Sequence, residues 1–173
     1  SSESQGGIVV PSRDELFAIY EREFIDDWYG SAGQKKEYRQ RGRDIMRQFY
    51  DEHDGNWRLP TLIERFVHFT IGEHSIRGAI DRVDRIGDTV VIIDYKTGKP
   101  KSSAKLTADD KLQLLIYAIG LEHVSGMKAD ECVLWYLDDG SKISFAPTPD
   151  QIVSAKREVE ILISAIHSSD FKA

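Results

Sequence analysis

Between Glu64 and Lys96 the apolar residues gather in three runs rich in Val, Ile, Phe and Thr, separated by the dipeptides Gly72-Glu73 and Gly87-Asp88. Runs of this kind broken by a glycine pair predict three strands joined by two-residue hairpin loops, an antiparallel meander. Either side of it the apolar spacing becomes helical. Ser12 with Glu15 is a capping-box pattern, and Leu16, Phe17, Ile19, Tyr20, Phe24 and Ile25 give a helical face to about Tyr29. A second helix is predicted from about Gln34 to His53, with Tyr38, Ile45, Met46, Phe49 and Tyr50 inward and the arginines outward. Thr107 caps a third, to about Glu122; Cys132–Leu137 and Lys142–Phe145 read as two strands around Asp138-Asp139-Gly140; Thr148, Pro149 and Gln151 open a last helix. The class is α/β, a central mixed sheet with an antiparallel meander flanked by helices. Residues 1–10 are expected to be disordered, and 11–173 to form a single domain.

The meander brings acids together. With the second loop centred between Gly87 and Asp88, facing residues have numbers adding to 175, which sets Asp81 opposite Asp94; with the first centred between Gly72 and Glu73 they add to 145, which sets Glu64 opposite Asp81. Strands about 4.8 Å apart then make a row of three carboxylates, with Lys96 two residues beyond Asp94 on the same side. Like charges in a row call for a neutralising ion, and a hard divalent cation held by oxygens is the natural one. A lysine beside it can orient a water or stabilise an oxyanion. This is the arrangement of metal-assisted phosphodiester hydrolysis; the plain alternative is a solvated sheet face with ordinary surface charges.

Gly78-Ala79-Ile80-Asp81-Arg82-Val83-Asp84, then Ile92-Ile93-Asp94-Tyr95-Lys96-Thr97-Gly98, then Gln113 and Tyr117 resemble the RecB-type branch of the PD-(D/E)XK nuclease superfamily. The resemblance is firm from Glu64 to Tyr117 and looser in the flanking helices. It implies a restriction-endonuclease-like core and a metal-dependent deoxyribonuclease, exonuclease-like, that works with a helicase in DNA repair or recombination. It further implies that Asp81 and Asp94 hold Mg2+ (or Mn2+) with the backbone carbonyl of Tyr95, that Lys96 is the catalytic lysine, and that Gln113 and Tyr117 line the nucleic-acid side. Glu64 matches an acidic position of helicase-associated members and is a further candidate catalytic and metal residue.

There are departures. Many RecB-type members carry a metal-binding His after a glycine on the preceding helix, and Arg41-Gly42-Arg43-Asp44-Ile45-Met46 has none. That leaves room for a catalytically weak or inactive nucleic-acid-binding module of the same fold. Some relatives bind a four-cysteine iron-sulfur cluster; Cys132 is the one cysteine here, so none is expected. Gly98-Lys99-Pro100 does not complete a phosphate-binding loop, so the motor of any helicase is expected in a missing part of the chain or in another subunit.

A net charge of −6 is unfavourable for a DNA partner, since phosphate contacts come from Lys and Arg. Local clusters offset it. Lys35 to Arg47 holds six basic residues against Glu37 and Asp44, with Arg39 and Arg43 as candidate nucleic-acid contacts; Lys99 is another, in a lysine-rich loop. Both clusters could equally be solvated surface. One cysteine fits a reducing compartment, no apolar run has membrane length, and the polar start SSESQGG carries no signal peptide. A cytoplasmic location is expected, nucleoid-associated in a bacterium. The absence of a starting Met fits a piece of something larger.

Overall fold

The structure, a computed structural model, describes residues 3–5, 8–25, 27–98 and 106–168. Lys99 and most of the lysine-rich loop lie outside them. Contacts divide the chain into two compact units where the sequence suggests one domain from residue 11. The first comprises Ser1–Leu59, Thr97–Lys99 and Tyr136–Ser141, and the second Pro60–Lys96, Pro100–Trp135 and Lys142–Ala173.

In the first unit, β1 (Glu3–Gln5) and β2 (Ile8–Val10) pair antiparallel, within the stretch 1–10 expected to be disordered, of which residues 1, 2, 6 and 7 lie outside the described ones. The β-branched run Ile8-Val9-Val10 suits a strand, and Val10 is buried. Helix α1 (Arg13–Glu23) starts at the predicted capping box, Ser12 and Glu15 each bonding the other's backbone. It stops six residues before Tyr29, at Glu23, because Phe24 is extended and its ring stacks parallel on Tyr29 at 5.6 Å. Helix α2 (Ala32–His53) is capped by Ser31. Its arginines are tied down: Arg39 and Arg43 both pair with Glu21, Arg41 with Asp138, and Arg47 with Asp44. Arg43 first, then Arg39, hold the Glu21 carboxyl below its ordinary range.

The second unit is built on a five-stranded sheet, β3 (Leu62–Ile71), β4 (His74–Ile86), β5 (Thr89–Lys96), β6 (Glu131–Tyr136) and β7 (Lys142–Phe145), in that spatial order. Glycine opens both hairpin loops, with φ of 56° at Gly72 and 63° at Gly87. A positive φ at the first loop residue alone marks the type II′ turn, whose twist suits paired strands. β6 starts beside the start of β5: the Asp130 amide donates to Val90 O, and the Val90 amide to Asp130 Oδ2, both at 2.8 Å. The two strands therefore run parallel, and the sheet is mixed. Such a pair needs a crossover, and helix α3 (Ala108–Ser125), capped by Thr107 and ended by left-handed Gly126, is part of it.

α3 and helix α4 (Pro149–Ser168) pack on each other and on β3. The core under α3 includes Val67, Ile80, Ile92, Leu114 and Leu121, each at most 2% exposed. Cys132 is buried among them, which pushes its thiol up to about 12. Among the described residues no helix is long and apolar enough to cross a membrane.

Gly120 sets how closely α3 lies on β3. A Cβ there would stand 2.8 Å from Phe69 and 3.0 Å from Val67. Gly120→Val is expected to cost about 1–3 kcal/mol by overpacking, seen as a fall in melting temperature of roughly 2–4 °C per kcal/mol at this chain length. An unchanged melting temperature would mean that α3 can lift from the strand freely.

Candidate active site

Register places the site. In β3–β4 the facing residues add to 145 throughout, from Ile71↔His74 to Leu62↔Val83, and in β4–β5 they add to 175, from Ile86↔Thr89 to Arg82↔Ile93. Both values are those predicted from the turns. Strand pairing lapses at one point, however: neither Glu64 nor Asp81 is paired in either ladder.

At that point both strands also change face. Gly78 lies under the Tyr117 ring of α3, so it and its partner Val67 point to α3. Lys96 bonds Gln113 of α3, so Lys96, Asp94 and Ile92 point there too, and with Ile92 its partner Val83. Gly78 and Val83 are five positions apart, and strict alternation would send them to opposite faces. The same holds for Val67 and Leu62. Alternation therefore slips by one residue in each strand while the register survives, and Glu64, φ 46°, lies in the slip. It has the only positive φ of any non-glycine residue described, a conformation costing on the order of 1–2 kcal/mol.

The slip delivers Asp81 to the face of Asp94. Beyond Arg82↔Ile93 the ladder ends, and the Tyr95 amide donates to Asp81 Oδ2 at 2.9 Å instead of to a backbone carbonyl. Tyr95 is held from the other face: its ring lies on Trp135, and its hydroxyl accepts from Arg82, which is paired at 2.8 Å with Asp84. Lys96 Nζ sits 2.8 Å from Asp94 Oδ2 and donates to Gln113 Oε1 at 2.8 Å; Gln113 Nε2 donates on to the Tyr117 hydroxyl at 2.9 Å. Gln113 and Tyr117, implied by the resemblance to line the nucleic-acid side, thus also brace the lysine.

Electrostatics sharpen the picture. Asp94 is 3% exposed, and burial lifts its carboxyl above the ordinary aspartate range despite Lys96; Asp81 and Asp110 add to the lift. Burial alone would lower the Lys96 ammonium, but Asp94, with Asp110 and Tyr117, carries it above its ordinary value, so it stays charged at neutral pH. Asp110 was not singled out from sequence; its spacing three residues before Gln113 on one helix face is the available signal.

The Lys96 ammonium is the ion-pair partner of the buried Oδ2, and no other donor reaches that oxygen among the described residues. Buried carboxylate oxygens in that state are uncommon and suit a cation. Two carboxylates and a backbone carbonyl fit Mg2+, which usually takes one or two carboxylates and completes its shell with water and phosphate. They do not make a closed cage: among the described residues no three His, Cys, Asp or Glu side chains cluster to hold a metal. The expected row of three acids is thus a pair. Glu64 is exposed and joins no such cluster.

Comparisons with known proteins bear on the family and the fold. The sequence pattern of the PD-(D/E)XK nuclease superfamily matches residues 10–173. A 68-residue stretch is 34% identical to an ATP-dependent helicase/nuclease subunit of Ligilactobacillus salivarius (strain UCC118), taking in 39% of this chain and 5% of that protein. The crystal structure of a candidate exonuclease from Eubacterium rectale has a TM-score of 0.50 at 13% identity, over 87% of this chain and 59% of that one; the two share a fold.

The raised Asp94 carboxyl has a consequence for stability. Its protonated form favours the fold, so the contribution is complete below the ordinary aspartate range and is lost as pH rises through the lifted value. Asp94→Asn, melted in chelator, is expected to be more stable than the parent at pH 7, with the difference vanishing on acidification. A variant less stable at neutral pH would show the Lys96 pairing to outweigh burial.

Proposed function

Because the chain belongs to the PD-(D/E)XK nuclease superfamily, we propose that it is a Mg2+-dependent deoxyribonuclease whose reacting groups are Asp81, Asp94 and Lys96. The observation that carries this reading is the buried Asp94 carboxylate, whose Oδ2 has the Lys96 ammonium as its one close partner among the described residues, beside Asp81 on one sheet face.

Asp81, Asp94 and the Tyr95 carbonyl would hold the ion, which when bound supplies charge neutralisation at the phosphate and a water acidic enough to attack it. The protein's own groups prepare the rest. Lys96, braced by Gln113 and kept protonated by Asp94, presents a positive charge to the negative charge developing on the phosphate. Its position is fixed before substrate arrives, so little reorganisation is needed on reaction. Tyr95, pinned by Arg82 and Trp135 on the opposite face, holds Asp81 through its amide.

The helicase/nuclease match supports action on DNA beside a helicase, in repair or recombination, with the motor elsewhere in a longer protein or in another subunit. The arginines expected to grip DNA are engaged in ion pairs, Arg39 and Arg43 with Glu21, so phosphate binding through them would require exchange of partners. A binding module without activity is the second reading, favoured by the two-carboxylate set and the missing histidine.

Cleavage of single- and double-stranded DNA with Mg2+ or Mn2+ separates the two readings. Lys96→Ala is expected to slow it on the order of 10²–10³-fold with the circular dichroism spectrum unchanged, and chelation to stop it. DNA binding without cleavage under any divalent ion would establish the module; full activity in Lys96→Ala would remove the lysine from the mechanism.

A further inference from the structure

We propose that Glu64 is a positioning residue whose left-handed backbone, rather than its carboxylate, turns Asp81 onto the face that carries Asp94. The catalytic consequence rests on the nuclease reading above; the conformational claim stands on the strands alone.

Strict alternation from Gly78 would carry Ile80 and Arg82 to the α3 face and send Asp81 to the other, away from Asp94. Asp81 is instead within reach of the Tyr95 amide and acts electrostatically on Asp94. The turn of the chain that makes this so has to be taken in both strands at once, because the register is the same on either side: Ile63↔Arg82 before it and Arg65↔Ile80 after it. The only residue facing Asp81 in that register is Glu64, and it is the one with φ 46°. A slip in β4 alone would set Arg82 and its β3 partner on opposite faces. The left-handed residue in β3 removes that conflict.

Nothing local rewards a glutamate in this conformation, which Gly adopts without steric cost and Asn or Asp more readily than other side chains. Nor does its carboxylate explain the placement. It is exposed, and among the described residues no hydrogen bond or ion pair involves it. Flanking pairs hold the backbone in place, and strain kept this way beside a reacting group is common at functional sites.

The two roles for Glu64 make opposite predictions for side-chain removal. Glu64→Gly and Glu64→Ala both delete the carboxylate, but only glycine accepts the left-handed backbone freely; Glu64→Val resists it most. Two readouts apply: DNA cleavage, and the Tyr95 amide proton by NMR, whose chemical shift and protection from solvent exchange report its bond to Asp81 Oδ2. Glu64→Gly is expected to keep the Tyr95 signature and to cleave within about threefold of the parent, whereas Glu64→Val loses the signature and about tenfold or more in rate, with alanine between. Equal losses in glycine and alanine, in rate and in the amide signal, would overturn the proposal and return the role to the carboxylate. If valine fails to fold, the glycine–alanine pair still decides. If the parent itself does not cleave DNA, the nuclease reading falls, and the Tyr95 amide still reports on the positioning.

Discussion

The Asp94 carboxylate is the one charged side chain in the described residues that the fold buries almost completely, and the surrounding arrangement follows from having to accommodate it. Burial works against its charge, and Lys96 offsets only part of that cost. Every other group at the site answers this constraint: Gln113 holds the lysine, Tyr117 holds the glutamine, and Tyr95 holds Asp81 alongside. One buried oxygen of Asp94 is left with the lysine alone as partner among the described residues, less than a carboxylate oxygen ordinarily receives inside a protein. A protein selected for folding alone would place an amide or an apolar residue here.

Much of this was legible in the chain. Gly72 and Gly87 fixed the turn centres and through them the register, up to the pair Arg82↔Ile93 that precedes the two aspartates. The helix caps at Ser12 and Thr107 were equally plain, because a cap needs only one oxygen at one spacing. The slip was harder. Reading Ile76, Gly78 and Ile80 as one face and Val83 as the other is what period-two alternation requires, and only the fact that Ile80 and Val83 are both apolar three residues apart hints at a break. Backbone strain at Glu64 leaves no composition signal at all.

The basic stretch of α2 illustrates a different limit. Counting Lys and Arg between residues 35 and 47 suggests a free cationic surface, but Glu21 lies more than a dozen residues upstream, and Asp138 is close to a hundred downstream. Charge in a sequence window says what is available, not what has already been paired. The same holds for Glu64, which falls between paired residues on either side and whose exposed side chain joins no three-residue cluster with the aspartates among the described residues.

All the groups that define the site, from Glu64 to Tyr117, come from four consecutive elements, β3, β4, β5 and α3. The two hairpins close through two-residue loops, and the helix that braces the lysine follows them directly in chain order, so the contacts that join these elements are near in sequence. An arrangement built from such neighbours asks little of the rest of the chain beyond a surface for the sheet and helix to rest on.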